Sequence, residues 1–513
     1  MAGEEAQPPA ADPVSPPKGR EAAVMSVRGA AVWAMAGQYG SFVIQFAASV
    51  IISRFFLDPA EVGLFSIALA AAMLVAVLQD FGLSRYISSL PVLGPEELRR
   101  CSSVALLFSL VVAGVVAALA WPMAQIYDHP ELFTLLLIIS GSYLLLPLAV
   151  VPLALMARAM EFHRHFAVSI GGAALQGGVS IALAAAGFSA YALAWGNVAA
   201  ALARAVIAQF LRPAPPFPLM LRGIGDVLSF GSKSSVLYLT GAFGTRTPDL
   251  LVGKLLGLTA VGLYSRAVSL SDQFRMLVAG AIGSVFFPAF ARIRDRGEAL
   301  GPPYLRVCAG YSAVLWPGMA ALALASQPLV LLLYGERWAE VAPLLAMVAL
   351  MEVLLTSLPL VSDLPILLGR MNRLMALNML DTALSIGLLA IGCLWGVEGA
   401  AASRIIYGLL WLCIYAGFMH RLVGFDARAL LAIYAKSALV TLATIAPMGA
   451  IYLFVSPPAE TGFGLLLLAT VLGGMGWLGS LWLLRHPAMS ELLGMLGELP
   501  PVRSLQKALT NNG

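Results

Sequence analysis

Charge is what this sequence most lacks. Asp, Glu, Lys and Arg make up 11% of its 513 residues, against about 25% in an ordinary soluble chain. With 60% hydrophobic residues and a mean hydropathy of +0.88, the chain cannot clothe a water-facing surface. Lipid is therefore the solvent for most of it, and the chain is a polytopic all-α membrane protein. Cysteine is scarce as well. Cys101, Cys308, Cys393 and Cys413 lie far apart in or beside apolar segments. No CxxC or Cys/His spacing suggests a metal or redox centre, so neither a metal nor a disulfide framework is expected. A phosphate loop of the form G-x-x-x-x-G-K-[ST] is missing, which excludes ATP hydrolysis by that route. Residues 1–27, rich in Pro and Ala, lack the apolar core and cleavage site of a signal peptide. They read as a disordered cytoplasmic tail ahead of a first helix that serves as an uncleaved signal. A net charge of +4 in so long a chain gives no reason to expect a nucleic-acid partner.

What the chain has in abundance is apolar runs. A spanning helix needs about 20 mostly apolar residues. That ruler gives about 14 candidates, centred near residues 42, 70, 112, 143, 178, 200, 238, 273, 316, 352, 384, 408, 442 and 473. The basic residues set their orientation, because Lys and Arg are retained on the cytoplasmic side. With the N-terminus inside, the outer loops hold only Arg54, Lys254 and Arg337, while the inner segments carry most of the rest. An even number of spans with both ends cytoplasmic follows. Arg246, Arg266, Arg275 and Arg404 fit neither set.

The chain also repeats itself. "RFFLDPAEVGLFSIAL" at Arg54–Leu69 aligns with "GKLLGLTAVGLYSRAV" at Gly253–Val268, at an offset of 199. Pro147 and Arg158 recur as Pro359 and Arg370, and "GFSAYA" at Gly187–Ala192 parallels "GVEGAA" at Gly396–Ala401. Three matches in register predict two six-helix halves of one orientation, 28–212 and 225–422, related by an axis along the membrane normal. Two further helices over 429–485 have no counterpart in the repeat, and a cytoplasmic C-terminal tail over 486–513 follows. Such halves with a path between them are transporter architecture.

"RFFLDPAEVGLFSIA…LQDFGLSRYI" and "TPDLLVGKLLGLTAVGLYSRAVSL" resemble the paired signatures of the Wzx-like polysaccharide transporters. These belong to the multidrug/oligosaccharidyl-lipid/polysaccharide flippase superfamily, and the resemblance runs from about Ala30 to Arg421. It implies two six-helix lobes in a V with two added helices. The activity it implies is the flipping of undecaprenyl-diphosphate-linked oligosaccharide across a bacterial inner membrane for surface polysaccharide assembly. It also implies a monomer in membrane lipid, working beside a polysaccharide polymerase and chain-length or export proteins.

Charges inside the membrane are costly and serve a partner or a wet cavity. Two readings stay open for them. Arg275, Arg246, Arg266 and Arg404 either line a cationic cavity for diphosphate and acidic sugars, since a guanidinium fork matches two phosphate oxygens, or hold helices together. Asp249, Asp272 and Asp381 are counter-ions or coupling carboxylates; Asp272 and Arg275, three apart on one helix, can pair. Gln38, Ser41, Gln45 and Ser49 form a polar stripe on the first helix, and Gln273 shares a face with Arg266. Glu352, Thr356 and Asp363 read as one face of the tenth helix. Asp80 with Arg85 read as a boundary pair, and His163 and His165 as solvated. The repeat copies of Arg246, Arg266 and Arg275 are Ala47, Ile67 and Ala76, so basic groups concentrate in the second half. No cofactor is expected beyond a coupling H+ or Na+. An ion-coupled antiporter of the same superfamily and a lipid II-type flippase remain alternatives. A polymerase or ligase is disfavoured, because every outer loop is short.

Overall fold

The computed structural model describes residues 27–77, 94–214 and 243–489, with a few isolated positions between them. Every regular element among the described residues is helical. In lipid the backbone must satisfy its own hydrogen bonds, and a helix does so within one segment. The elements are α1 (Val27–Phe55), α2 (Pro59–Ala76), α3 (Pro95–Tyr127), α4 (Glu131–Leu145), α5 (Pro147–Arg158), α6 (Phe162–Ala185) and α7 (Tyr191–Leu211). After residues 215–242 come α8 (243–256), α9 (Leu258–Asp295), α10 (Gly301–Leu324), α11 (Ser326–Tyr334), α12 (Val341–Leu355), α13 (Asp363–Leu367), α14 (Met371–Gly392), α15 (Gly396–Val423), α16 (Ala427–Phe454) and α17 (Phe463–Leu483). Nine helices among the described residues are long and apolar enough to cross a membrane, or ten if the bent α4–α5 pair is one span. Of the expected span centres, residue 238 lies outside the described residues, as do Asp80, Arg85, residues 1–26 and residues 490–513. The other centres each fall within a helix.

Local sequence fixes the starts and breaks. Asp58 caps α2 by accepting from the Glu61 amide at 2.9 Å, while the Glu61 carboxylate accepts from the Asp58 amide at 2.9 Å. With Pro59 at the first helical position, this satisfies donors that a helix start leaves free. Pro147 separates α4 from α5, and their axes differ by 44°, since proline removes a backbone donor and crowds the preceding turn. In the second copy of that region α12 ends at Leu355, four residues before Pro359, whose ring excludes the Leu355 carbonyl from a helical bond. This corrects the reading of Glu352, Thr356 and Asp363 as one helical face: the helix stops first. Glu352 is buried on α12, and Asp363 is exposed on α13.

Two helix groups emerge from the packing. In the first, α1 lies on α6, α6 on α7, α4 on α3 and α7, and α5 on α7. In the second, α9 and α10 lie on α12, and α12 and α14 on α15. Between the groups, α2 crosses α9 and α1 crosses α11. Both lie at the end of the molecule that holds the α1–α2 and α8–α9 turns, here termed the turn end. There the Trp338 indole donates to the Ser53 carbonyl at 2.8 Å, and the Tyr127 hydroxyl donates to the Leu250 carbonyl at 2.8 Å. The last pair, α16 and α17, is docked on α10. Trp477 donates to the Ala313 carbonyl at 2.7 Å and Tyr452 to the Leu324 carbonyl at 2.9 Å.

Candidate functional site

The polar residues that the membrane would otherwise exclude meet on the second group. α9 carries Arg266, Asp272, Gln273 and Arg275, α8 carries Arg246 and Asp249, α14 carries Asp381, and α15 carries Arg404. Arg275 donates to Asp272 Oδ1 at 2.9 Å, the i,i+3 pairing that their spacing allows. Its Nε also stands 3.2 Å from Glu352 Oε2 on α12. Glu352 is 6% exposed, so the deep end of this guanidinium is met by a carboxylate with almost no access to solvent.

Arg404 donates to Ser385 Oγ at 2.6 Å, and its guanidinium carbon lies 4.6 Å from the Tyr407 ring centroid. It is within electrostatic reach of both Glu352 and Asp381. Asp381 faces the Tyr407 hydroxyl, and its neighbour Asn378 accepts from the Tyr415 hydroxyl at 2.9 Å. Asp249 sits beside Arg246 and within reach of Asp272, while Arg246 also acts on Tyr143 of the first group. α8, α9, α12, α14 and α15 thus carry one continuous electrostatic network. In it three arginines, Arg246, Arg275 and Arg404, meet four carboxylates, Asp249, Asp272, Glu352 and Asp381. Among the described residues, Arg246 and Arg404 have no carboxylate within ion-pair distance, whereas Arg275 has two.

Arg266 stands apart from this network, at the crossing between the groups. It donates to Ser49 Oγ of α1 at 2.5 Å, and its guanidinium carbon is 5.4 Å from the Tyr334 ring centroid and 5.3 Å from that of Trp338. Such cation–π geometry suits a cation with little water around it. Its Nε is buried without a hydrogen-bond partner among the described residues. Gln273 donates to Ser269 Oγ at 2.9 Å, and its own oxygen is buried with no partner among the described residues. The stripe on α1 divides: Gln38 and Gln45 are exposed, Ser41 is half-buried, and Ser49 holds Arg266. No group of three or more His, Cys, Asp or Glu among the described residues is arranged to hold a metal ion.

Sequence reasoning missed Glu352 as the partner of Arg275, and Tyr334, Trp338, Ser385 and Tyr407 as partners of the other arginines. An intramembrane acid such as Glu352 is signal enough to look for a cation, but 77 positions separate it from Arg275, and periodicity speaks only within a helix.

The sequence profile of the polysaccharide biosynthesis proteins matches residues 51–343, a stretch that contains both turn motifs. The chain belongs to the polysaccharide biosynthesis protein family. The resemblance of those motifs to the Wzx-like polysaccharide transporters therefore stands. The succinoglycan biosynthesis transport protein ExoT of Rhizobium meliloti (strain 1021) is 27% identical over 393 residues, covering 74% of this chain and 76% of that protein. The lipopolysaccharide biosynthesis protein WzxC of Escherichia coli (strain K12) is 23% identical over 345 residues, covering 66% and 69%. Among solved structures, the lipid II flippase MurJ in an inward closed conformation superposes with a TM-score of 0.68 at 14% identity, covering 88% of this chain and 98% of that one. The chain thus has the polytopic helical fold seen in that structure, and it is a multi-pass membrane protein.

Proposed function

We propose that this member of the family is a transporter rather than an enzyme. Its cargo is an undecaprenyl-diphosphate-linked oligosaccharide repeat unit, flipped from the cytoplasmic to the periplasmic leaflet of a bacterial inner membrane for surface polysaccharide assembly. The observation that carries the reading is an arginine-bearing polar network on one helix group, facing a second group that meets it at the turn end. A diphosphate headgroup needs fork-shaped donors that are not already saturated. Arg246 and Arg404 meet that need first, because among the described residues no carboxylate stands within ion-pair distance of either. Arg275 supplies charge from behind Asp272 and Glu352, and Arg266 waits at the crossing. The turn end is periplasmic in this reading, both termini are cytoplasmic, and the halves 28–212 and 225–422 rock about the cargo while its isoprenoid tail stays in lipid. Without a phosphate loop, the step is driven by an H+ or Na+ gradient, by the cargo's own gradient or by downstream polymerisation. Asp249, Asp272 and Asp381 are the carboxylates available to a coupling ion. The relatives whose names tie them to succinoglycan and lipopolysaccharide biosynthesis support the cargo class.

The test is surface polysaccharide output in the native host, with the protein level controlled. Deletion of the gene is expected to abolish the polymer, and Arg246→Gln with Arg404→Gln to reduce it severely in a protein that still folds. Normal output from a chain in which Arg246, Arg266, Arg275 and Arg404 are all neutralised would overturn the arginine-lined path.

A further inference from the structure

At the end of the molecule opposite the turn end, the two copies of the repeat carry different charges on the same backbone. α9 leaves the turn end at Leu258 and runs 38 residues to Asp295. There the Arg294 guanidinium donates to the Leu367 carbonyl at 2.8 Å, which places the turn between α13 and α14 at that far end. This turn is a copy of the one between α5 and α6. In each, one residue has a left-handed backbone, with φ 57° at Met160 and 68° at Gly369. The next residues, Glu161 and Arg370, donate their amides to the Met156 and Pro365 carbonyls, both at 2.8 Å. The Arg164 and Arg373 amides then donate to the Glu161 and Arg370 carbonyls, at 3.0 and 3.1 Å. Each of these pairs is 209 apart in sequence, as are Gly187 and Gly396, whose φ angles are 83° and 77°. The offset of 212 that paired Arg158 with Arg370 has therefore shortened before this turn, and the counterpart of Arg370 is Glu161.

In the first copy the Glu161 carboxylate is gripped by two arginines, Arg164 at 3.0 Å and Arg212, just past the end of α7, at 3.3 Å. The same three positions in the second copy hold Arg370, Arg373 and Arg421. An acid between two bases has become a third base. All three arginines are exposed, and among the described residues no carboxylate stands within ion-pair distance of any of them. Asp295, which the Arg294 contact brings to this end, is engaged by Arg294 itself at 2.7 Å. Three guanidinium groups on positions that converge in the first copy repel one another unless an anion takes the place of the Glu161 carboxylate. We infer that the Arg370–Arg373–Arg421 cluster binds the phosphate group of a lipid headgroup at the membrane surface. Guanidinium forks match phosphate oxygens in pairs. A lipid fits better than a soluble anion, because Ile366 and Met371 on the same turn are 37% and 40% exposed and offer apolar surface to a chain beside the charges. Two lipids present this chemistry: an anionic phospholipid of the leaflet, and the diphosphate-linked cargo before it enters. The inference rests on the transport reading above for the second of these and for the cytoplasmic placement of the site.

The experiment titrates the purified full-length chain in an uncharged detergent with phosphatidylglycerol in one arm and undecaprenyl diphosphate in the other. Bound lipid is counted by native mass spectrometry. Arg370→Glu rebuilds the Arg–Glu–Arg arrangement of the first copy, so the variant is expected to fold and to bind lipid about tenfold more weakly, as loss of charge-assisted phosphate contacts implies. Weakening toward phosphatidylglycerol, with or without the other lipid, identifies the leaflet phospholipid as a ligand; weakening toward undecaprenyl diphosphate alone identifies the cargo. Unchanged binding of both overturns the site. Arg306→Glu makes the same change of charge at an exposed position on α10 near the same end, and is expected to leave both affinities as they are. If it weakens binding as much as Arg370→Glu does, the attraction is a diffuse field and the site is overturned. Should the unfolding temperature show that Arg370→Glu does not fold, the joint variant Arg370→Gln, Arg373→Gln and Arg421→Gln takes its place with the same expectations. If deletion of the gene leaves the surface polymer untouched, the transport reading fails, and the binding result still reports on the cluster.

Discussion

Arg275 is held from two sides, and the two sides are not equal. Asp272 approaches from the same helix at 2.9 Å with 46% of its side chain exposed, while Glu352 approaches from α12 at 3.2 Å with 8% of its side chain exposed. Removing one partner from a buried pair costs about 3–5 kcal/mol, because the remaining charge is stranded. The size of the loss therefore depends on which charge is left behind. Arg275→Met strands Glu352, which is buried, and the full figure of about 3–5 kcal/mol applies. Glu352→Gln strands nothing completely. Arg275 retains Asp272 and is 36% exposed, so solvent screening reduces the cost to about 1–2 kcal/mol. Replacing both, as Arg275→Met with Glu352→Leu, takes the two charges out together and is expected to be close to neutral for stability, as exchanges of buried pairs for apolar side chains often are.

Thermal unfolding of the purified protein in one detergent gives the order: wild type near the double variant, Glu352→Gln below them, Arg275→Met lowest. Surface polymer output then separates structure from transport. A double variant that is stable but silent assigns Arg275 to the cargo, while one that is stable and active assigns it to helix packing. If Glu352→Gln were as destabilising as Arg275→Met, or if the double variant were no better than Arg275→Met, the burial argument would be refuted, because the stranded charge would not be what sets the cost.

Trp338→Phe keeps an aromatic wall beside Arg266 but removes the donor to the Ser53 carbonyl. It is expected to cost about 1–3 kcal/mol, the penalty of an unsatisfied buried acceptor, seen as a lower unfolding temperature; no change would show that water replaces the indole. His486 follows the last span and is buried against Ser437, with Nε2 3.1 Å from Ser437 Oγ and Nδ1 accepting from the Ala488 amide at 3.2 Å. Burial, and then the nearby Lys436, push its pKa below the ordinary value. A depressed folded pKa means that the unfolded chain binds the proton more readily. The stability from this contact is therefore present above about pH 6.5 and is lost as pH falls below it. Unfolding temperatures measured between pH 8 and 5 are expected to decline at the acid end, and His486→Gln to flatten that decline; an unaltered slope in the variant refutes the assignment.

The fold was legible where lipid dictates it. A stretch such as residues 104–120, the middle of Pro95–Tyr127, must be almost wholly apolar and must close its own hydrogen bonds to sit in hydrocarbon, so the apolar runs of the sequence mark it directly. The Asp272–Arg275 pair was legible for the related reason that helical geometry places i and i+3 together. What could not be read was anything set by how one helix meets another. Glu352 carried no mark that tied it to Arg275, and Arg266 announced a partner without indicating Ser49, Tyr334 or Trp338. The end of α12 was written in the sequence at Pro359, yet an apolar composition continuing past it reads as one helix unless the proline is weighed against the carbonyl four residues before it.

The repeat shows the same boundary most sharply. Matching "VGLFS" with "VGLYS" reveals that two segments share a local structure, but similarity between copies is silent on whether the copies touch. They touch because the axis that relates the halves passes between α2 and α9, and a residue near such an axis lies near its own counterpart. Gly63 then has to face Gly262, and both must lack a side chain, since any Cβ on one copy would strike the backbone of the other. Ser66 has to face Ser265, a pairing that works because a hydroxyl can both donate and accept. The next position is free to differ. An arginine facing an arginine across an axis would repel, but Ile67 and Arg266 point to different neighbours, α8 and α1, so one copy carries a charge without meeting its like. The asymmetry of charge noticed in the sequence is thus permitted by geometry one residue beyond a contact where geometry permits none.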